Sequence, residues 1–264
     1  IDDKVSALPP VILSLQQAAG FTLAEDVYAA MDIPAFPQSS MDGYAFSFND
    51  WQKNKELKIV GEIAAGSNEN FMLLQGNAVR IFTGAAVPPG VDTVVMQEKV
   101  KTENAVLCID DEKLQAGNNV RPKGSEIKAE ALALEKDTML SPAAIGFLAG
   151  IGIADVKIYP NPLVSIIITG SELQQPGKAL QYGQVYESNS YSLKAALQQL
   201  HFNTIEFYYA TDTPENVTVA FQKALQQSDV VLLTGGISAG DYDFVLQAAN
   251  ECGVEKFFHK VKQR

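Results

Sequence analysis

The stretch "LVSIIITG", residues 163–170, decides the fold. A continuous apolar, β-branched run of strand length, without polar alternation, describes a strand buried on both faces, and Gly170 ends it. Such strands belong to parallel sheets whose faces are covered by helices. The sequence downstream has the alternation that such a sheet requires. Ser188, Asn189 and Ser190 offer N-caps to "YSLKAALQQL" (191–200), where Leu193, Ala196, Leu197 and Leu200 mark one helical face. "NTIEFYYA" (203–210) is a second strand. Thr213 and Pro214, a capping residue followed by proline at the first helical position, open a helix over "ENVTVAFQKALQQS" (215–228). "DVVLLTG" (229–235) is a third strand, "DFVLQAANECG" (243–253) a helix closed by Gly253, and "VEKFFHKV" (254–261) a fourth strand. Alternating β and α with fully apolar strands predicts an α/β domain with a parallel sheet and right-handed crossovers.

Upstream the character changes. Between residues 35 and 137, glycines and prolines punctuate short β-like runs: "LKIVGEIAAG", "NAVRIFTG", "DTVVMQEKV" and "AVLCID". No helical pattern interrupts them, which predicts a β-rich unit, a distorted barrel or sandwich. "SPAAIGFLAGIG" (141–152) is a short helix with Ser141 as cap, Pro142 at its start and Gly150 near its end. "YPNP" (159–162) punctuates the entry to the α/β domain.

The formal net charge of −11 excludes duplex nucleic acid as a bulk partner, since that binding rests on phosphate neutralisation. A small anionic substrate stays compatible if a few cations are placed locally. The two cysteines, Cys108 and Cys252, have no CxxC or Cys/His company, and there are only two histidines. Reduced intracellular thiols are expected rather than a disulfide framework or a histidine zinc site. "IDDKVSALPP" lacks the features of a signal peptide, and no apolar run approaches the roughly 20 residues of a membrane span. A cytoplasmic protein is expected.

In an open parallel sheet, ligands bind beyond the carboxyl ends of the strands. The first strand delivers Thr169, Gly170 and Glu172 there, the second Asp212, and the third the loop "TGGISAGDYD" (234–243). Gly235 and Gly236 let backbone N–H groups close around an anion, yet Asp241 and Asp243 would repel one. A metal ion carried with a phosphate reconciles the two, and hard oxygen ligands suit Mg²⁺. At any single strand end, glycine and aspartate are adequately explained as turn and cap residues; their coincidence at three ends favours a site. In the β-rich unit, Asp42-Gly43 reads as a hairpin turn, Thr83-Gly84 follows a strand with Arg80 nearby, and Arg121 and Lys123 group with Glu126.

Seven stretches, "PAFPQSSMDGYAF", "VRIFTGAAVPPGVDTVVMQE", "NVRPKGSEI", "LSPAAIGFLAGIG", "IITGSEL", "GQVYESNS" and "LLTGGISAGDYDF", resemble in order the molybdopterin molybdenumtransferase (molybdenum insertase) family, which includes the gephyrin E domain. The resemblance covers nearly the whole chain. It implies transfer of molybdenum from molybdate to adenylylated molybdopterin, with Mg²⁺-dependent release of AMP. It also implies a homodimer and, as partners, other enzymes of molybdenum cofactor biosynthesis. By the same resemblance, Asp42, Glu172, Asp212 and Asp243 are catalytic, with Asp243 and Glu172 as metal ligands. Thr83, Arg121, Glu126, Thr169, Gly170, Ser188, Asn189, Gly235, Gly236, Ser238 and Arg264 are substrate-binding. Asp241 is expected to face solvent or cap a helix. Ser171 stands where the family frequently has aspartate.

Compositional shift and resemblance together divide the chain. Residues 1–34 and 138–160 form a discontinuous helical linker subdomain, 35–137 the β-rich insertion, and 161–264 the molybdopterin-binding-type α/β domain. The family continues past the fourth strand, and it has a helix ahead of "VILSLQQAAGF", so a fragment incomplete at its C-terminal end is expected. Two alternative functions remain open: a gephyrin-like scaffold that binds peptides, and an adenylyltransferase acting on molybdopterin through the same α/β fold.

Overall fold

The computed structural model describes residues 4–67, 72–235 and 244–258. The chain divides into two compact units, residues 12–158 and residues 1–11 with 159–264.

In the unit 12–158, a six-stranded sheet is built from β1 (Gly43–Phe46), β2 (Glu56–Ile63), β3 (Asn77–Ile81), β4 (Thr93–Met96), β5 (Val100–Glu103) and β6 (Val106–Ile109), in the order β4-β1-β3-β2-β6-β5. Within it β2 and β3 pair in parallel and the remaining neighbours antiparallel. Tyr44, Phe46, Leu57, Val95 and Leu107 form a core on one face, and Ala45, Val79, Ile81 and Val94 on the other. Consequently "GYAF" of β1 is buried at every position. A barrel or sandwich was the expectation; a single sheet covered on both faces takes its place. The covering side chains come from connecting segments, among them Leu114 on one face and Ala85 and Val87 on the other.

A helix, α1 (Phe48–Asn54), follows β1 where the sequence predicts none. Its cap is remote: the Phe48 N–H donates to Asp92 Oδ1 at 2.8 Å, and Lys55 closes the helix in the left-handed conformation. Phe48 and Trp51 then pack against the first core. Gly43 departs from the expected hairpin turn as well. It is the first residue of β1, and a Cβ there would sit 1.8 Å from the Val95 carbonyl oxygen. Close strand approach, not turn geometry, requires glycine here.

A separate core lies under α2 (Pro142–Gly150) and a three-stranded sheet in which Asp155–Tyr159 runs between Val11–Ser14 and Thr22–Leu23. Leu15, Leu23, Leu140, Leu148 and Ile158 are buried there, with Ile145 packed against them. Ser141 caps α2 by accepting from the Ala144 N–H, and Pro142 opens it. Ile127, Ala131 and Leu134 share this core.

In the other unit, β7 (Val164–Thr169) is buried at all six positions. It lies between β8 (Ile205–Ala210) and β9 (Val230–Thr234), both parallel to it. The crossovers are α3 (Asn189–Gln199) and α4 (Pro214–Gln227), and α5 (Phe244–Glu251) follows β9. Val217, Ala220, Phe221 and Ala224 of α4 join Val245 and Ala248 of α5 over Ile167. Thr213 accepts from the Asn216 N–H at the start of α4. The expected face of α3 is only partly buried: Leu193 and Leu197 are half-covered, whereas Ala196 and Leu200 are exposed. The expected fourth strand is not present over residues 254–258, since no neighbouring strand among the described residues pairs with it. Phe257 and Phe258 are exposed there, the former under the Lys4 ammonium at 4.2 Å from its ring centroid.

Replacing Gly43 with alanine forces β1 away from β4 and is expected to destabilise the fold by about 1–3 kcal/mol, the usual cost of overpacking. Urea denaturation of Gly43→Ala against wild type measures this, with Gly146→Ala in helix α2, where a Cβ meets nothing within 4 Å, as the comparison.

Candidate functional site

The parallel register sets three strand ends level: Thr169 aligns with Ala210, and Ile168 with Thr234. Because the chain leaves the central strand β7 for β8 on one side and returns to β9 on the other, the topological switch point, where such sheets bind ligands, falls between the ends of β7 and β9. Several expected residues converge around it. The Ser171 N–H donates to Asp212 Oδ2 at 3.2 Å, and the Asp212 N–H donates to Ser171 Oγ at 3.4 Å. These reciprocal bonds tie the loop after β7 to the loop after β8. Thr169 Oγ1 donates to the Thr234 carbonyl at 3.5 Å, and Asn189 Nδ2 at the start of α3 donates to Thr234 Oγ1 at 2.8 Å.

Two glycines are demanded by this packing. Gly235 has φ of 88°, and a Cβ on it would lie 2.1 Å from the Thr169 carbonyl oxygen. At Gly170, with φ of 148°, a Cβ would meet Leu173 at 2.8 Å and Glu172 Oε2 at 3.0 Å. Glu172 is therefore at the strand ends with its carboxylate exposed beside Gly170. Asp243, Gly236, Ser238 and Arg264, together with Asp241, lie outside the described residues. Among the described residues, no group of three His, Cys, Asp or Glu side chains gathers as a metal site.

One participant was not anticipated. Ser188 precedes α3 but its hydroxyl caps nothing. The cap is Glu187, whose carboxylate accepts from the Ser190 N–H at 2.8 Å and from Ser190 Oγ at 2.5 Å. Its signal in the sequence is an acid three residues ahead of a serine at a helix start, the spacing of a cap.

The unit 12–158 holds a second group. Thr83 gives both donors, N–H and Oγ1–H, to Asp42 Oδ1, each at 2.8 Å. The backbone N–H, then the hydroxyl, hold the Asp42 carboxyl below the usual aspartate range, and the Arg80 charge helps. Arg80 itself lies by the rings of Tyr44 and Phe82, 5.9 and 5.2 Å from their centroids. Arg121 Nη1 donates to Glu126 Oε1 at 2.7 Å, while Lys123 pairs with Asp32 at 3.4 Å rather than joining them. The short pairing of Val120–Arg121 with Gln38–Ser39 brings the basic loop to the segment that leads into Asp42.

These arrangements accompany a match over nearly the whole chain to known families. Residues 1–152 match the MoeA N-terminal region (domain I and II), and residues 165–264 match a "Probable molybdopterin binding domain". The chain belongs to the MoeA family. It is 35% identical over 246 residues to a molybdopterin molybdenumtransferase of Haemophilus influenzae, covering 93% of this chain and 61% of the relative. A molybdopterin molybdenumtransferase of Nostoc sp. is 38% identical over 259 residues, covering 96% of this chain and 59% of the relative. A crystal structure of the molybdopterin biosynthesis MoeA protein from Pyrococcus horikoshii OT3 aligns with a TM-score of 0.77 at 30% identity, over 88% of this chain and 63% of that one. The chain thus spans about three fifths of the length of these MoeA relatives. Among its described residues, no helix is long and apolar enough to cross a membrane.

The Asp42–Thr83 pair has a defined pH behaviour. A lowered folded-state pKa means the pair stabilises the fold above the unfolded aspartate pKa and loses that contribution as pH falls through the lowered folded value. Thr83→Val removes the hydroxyl donor and keeps the N–H, so the Asp42 midpoint is expected to rise while staying below the usual range. A carboxyl ¹³C NMR titration of the two proteins reads the shift.

Proposed function

We propose that this chain is the catalytic part of a molybdenum insertase, which transfers molybdenum from molybdate onto the dithiolene of adenylylated molybdopterin and releases AMP. The observation that supports it is the convergence of Thr169, Gly170, Asn189, Asp212 and Gly235 at the level ends of three parallel strands, in a member of the MoeA family. On this reading the amides and hydroxyls of Gly170, Gly235, Thr169 and Asn189 take the phosphate-bearing end of the substrate. Ser188, Gly236, Ser238 and Arg264 extend that surface. Asp212 orients the Ser171 backbone beside it.

Carboxylates are hard oxygen donors of the kind Mg²⁺ takes, and Glu172 with Asp243 would hold the ion. When bound it supplies charge neutralisation for phosphoanhydride cleavage. Within the unit 12–158, Asp42, fixed by Thr83 and kept ionised, is a further catalytic carboxylate, and Thr83, Arg121 and Glu126 are substrate contacts of that unit. The protein works as a cytoplasmic homodimer, with residues 35–137 as an insertion between 1–34 and 138–160 and with 161–264 as the molybdopterin-binding domain. Other enzymes of cofactor biosynthesis supply the substrate and accept the product.

Release of AMP from adenylylated molybdopterin, with molybdate and saturating Mg²⁺, tests the assignment in the full-length protein. Asp243→Asn and Glu172→Gln are each expected to lower turnover by about 100-fold or more, on the scale of losing an electrostatic stabiliser of the transition state. Asp241→Asn is expected to cost about 1 kcal/mol or less of helix capping and to spare turnover. Incorporation of AMP into molybdopterin instead of its release would replace the insertase reading with adenylyl transfer.

A further inference from the structure

Glu187 is the one acidic or basic side chain buried among the described residues, at 5% exposure, and the reaction above gives it no part. Taking a carboxylate out of water is costly unless hydrogen bonds replace the lost hydration. Here Ser190 supplies both replacements, through its N–H and its hydroxyl, and the positive end of the α3 dipole adds to them. The Glu187 N–H is fixed in turn by the Gln174 carbonyl at 2.9 Å. A local cap was at hand in Ser188, whose hydroxyl would serve the helix without burying a charge, yet it makes no such bond. Capping α3 does not by itself call for a buried acid.

The carboxylate does achieve the fixing of a particular neighbour. Asn189 lies between Glu187 and Ser190, so the two bonds that close this turn leave its backbone little freedom. From there its side-chain amide reaches Thr234 Oγ1 at 2.8 Å, at the end of β9. Thr234 also accepts from Thr169 Oγ1 through its carbonyl, and Gly235 follows it. Asn189 thus ties the start of α3 to the end of β9, and Thr234 in turn links that end to Thr169 of β7.

We propose that Glu187 is a positioning residue, which locks the first turn of α3 so that Asn189 and Thr234 are held in register for the phosphate-bearing end of a nucleotide-linked substrate. For its ligand the proposal rests on the insertase reading. It acts through hydrogen-bond acceptance, so a glutamine at this position, which retains an acceptor oxygen, preserves most of the effect, whereas an apolar residue of similar length removes it.

The test uses the full chain and two independent readouts. Without ligand, hydrogen exchange of the Asn189 side-chain amide reports the bond to Thr234. Protection is expected in wild type and Glu187→Gln, and is expected to be lost in Glu187→Leu. With AMP as the probe, Glu187→Leu and Asn189→Ala are each expected to weaken binding by about tenfold, the scale of one charge-assisted hydrogen bond. The double variant should be no worse than either single, because the two residues act as a unit. Should Glu187→Leu fail to fold, Ser190→Ala deletes only the hydroxyl bond and is expected to lower Asn189 protection. Unchanged Asn189 exchange in whichever of these two variants folds, or fully additive losses in the double variant, overturns the proposal. If wild type binds no AMP, the ligand assignment fails while the exchange measurement still decides the role of Glu187.

Discussion

Everything in the unit of residues 1–11 and 159–264 hangs on the parallel pairing of β7 with two strands at once. An open sheet edge leaves backbone groups unpaired, and β7 has none: β8 takes one side and β9 the other along nearly its full length. Because both neighbours run parallel, their carboxyl ends finish at one level. Because both faces of β7 are buried, its side chains cannot contribute to a ligand site until the strand ends. The chemistry is therefore displaced to the residues immediately beyond Thr169 and Thr234, and to Asn189, which reaches them from α3.

The unit 12–158 reaches a comparable result by different means. Its sheet is covered on both faces by connecting segments, and the ladder of β1 with β3 and β4 ends at Gly43, where the Val95 carbonyl excludes any side chain. Asp42 sits just outside that tight point, and Thr83 just beyond the end of β3. Their pairing is a consequence of antiparallel register: Gly43 stands opposite Ile81, so residues flanking them meet. Backbone geometry delivers the carboxylate, and a threonine two residues past the strand fixes it.

What the sequence revealed follows the range of the interactions. The β7 run, the Ser141-Pro142 and Thr213-Pro214 helix starts and the Gly253 stop all rest on residues a few positions apart, and all were legible. Helix α1 was not, because its cap, Asp92, is 44 residues distant. Gly43 was misread because an Asp-Gly pair carries a strong local turn signal, whereas the contact that demands glycine comes from another strand. Glu187 is not legible as the cap in the sequence, because Ser188, Asn189 and Ser190 beside it offer more conventional caps. The apolar face read for α3 is only partly buried, since periodicity records which residues could be buried and not which of them the neighbouring elements cover. The resemblance singles out Asp212, Asn189 and Thr83 as expected site residues, and the geometry shows which partner each one holds.

The position of β7 has a consequence for how the chain is made. The strand that ends up in the centre is the first of its sheet to leave the ribosome, while its partners are encoded far downstream: Val164 pairs with Ile205 and Val230. Until both arrive, an apolar ribbon with two unsatisfied edges waits exposed, and every contact that will shelter it closes a long loop. The sheet of residues 12–158, complete by then, has no such delay. Synthesis thus passes through an interval in which one unit has its sheet complete while the future centre of the other is an unpaired apolar strand, the kind of surface that drives aggregation.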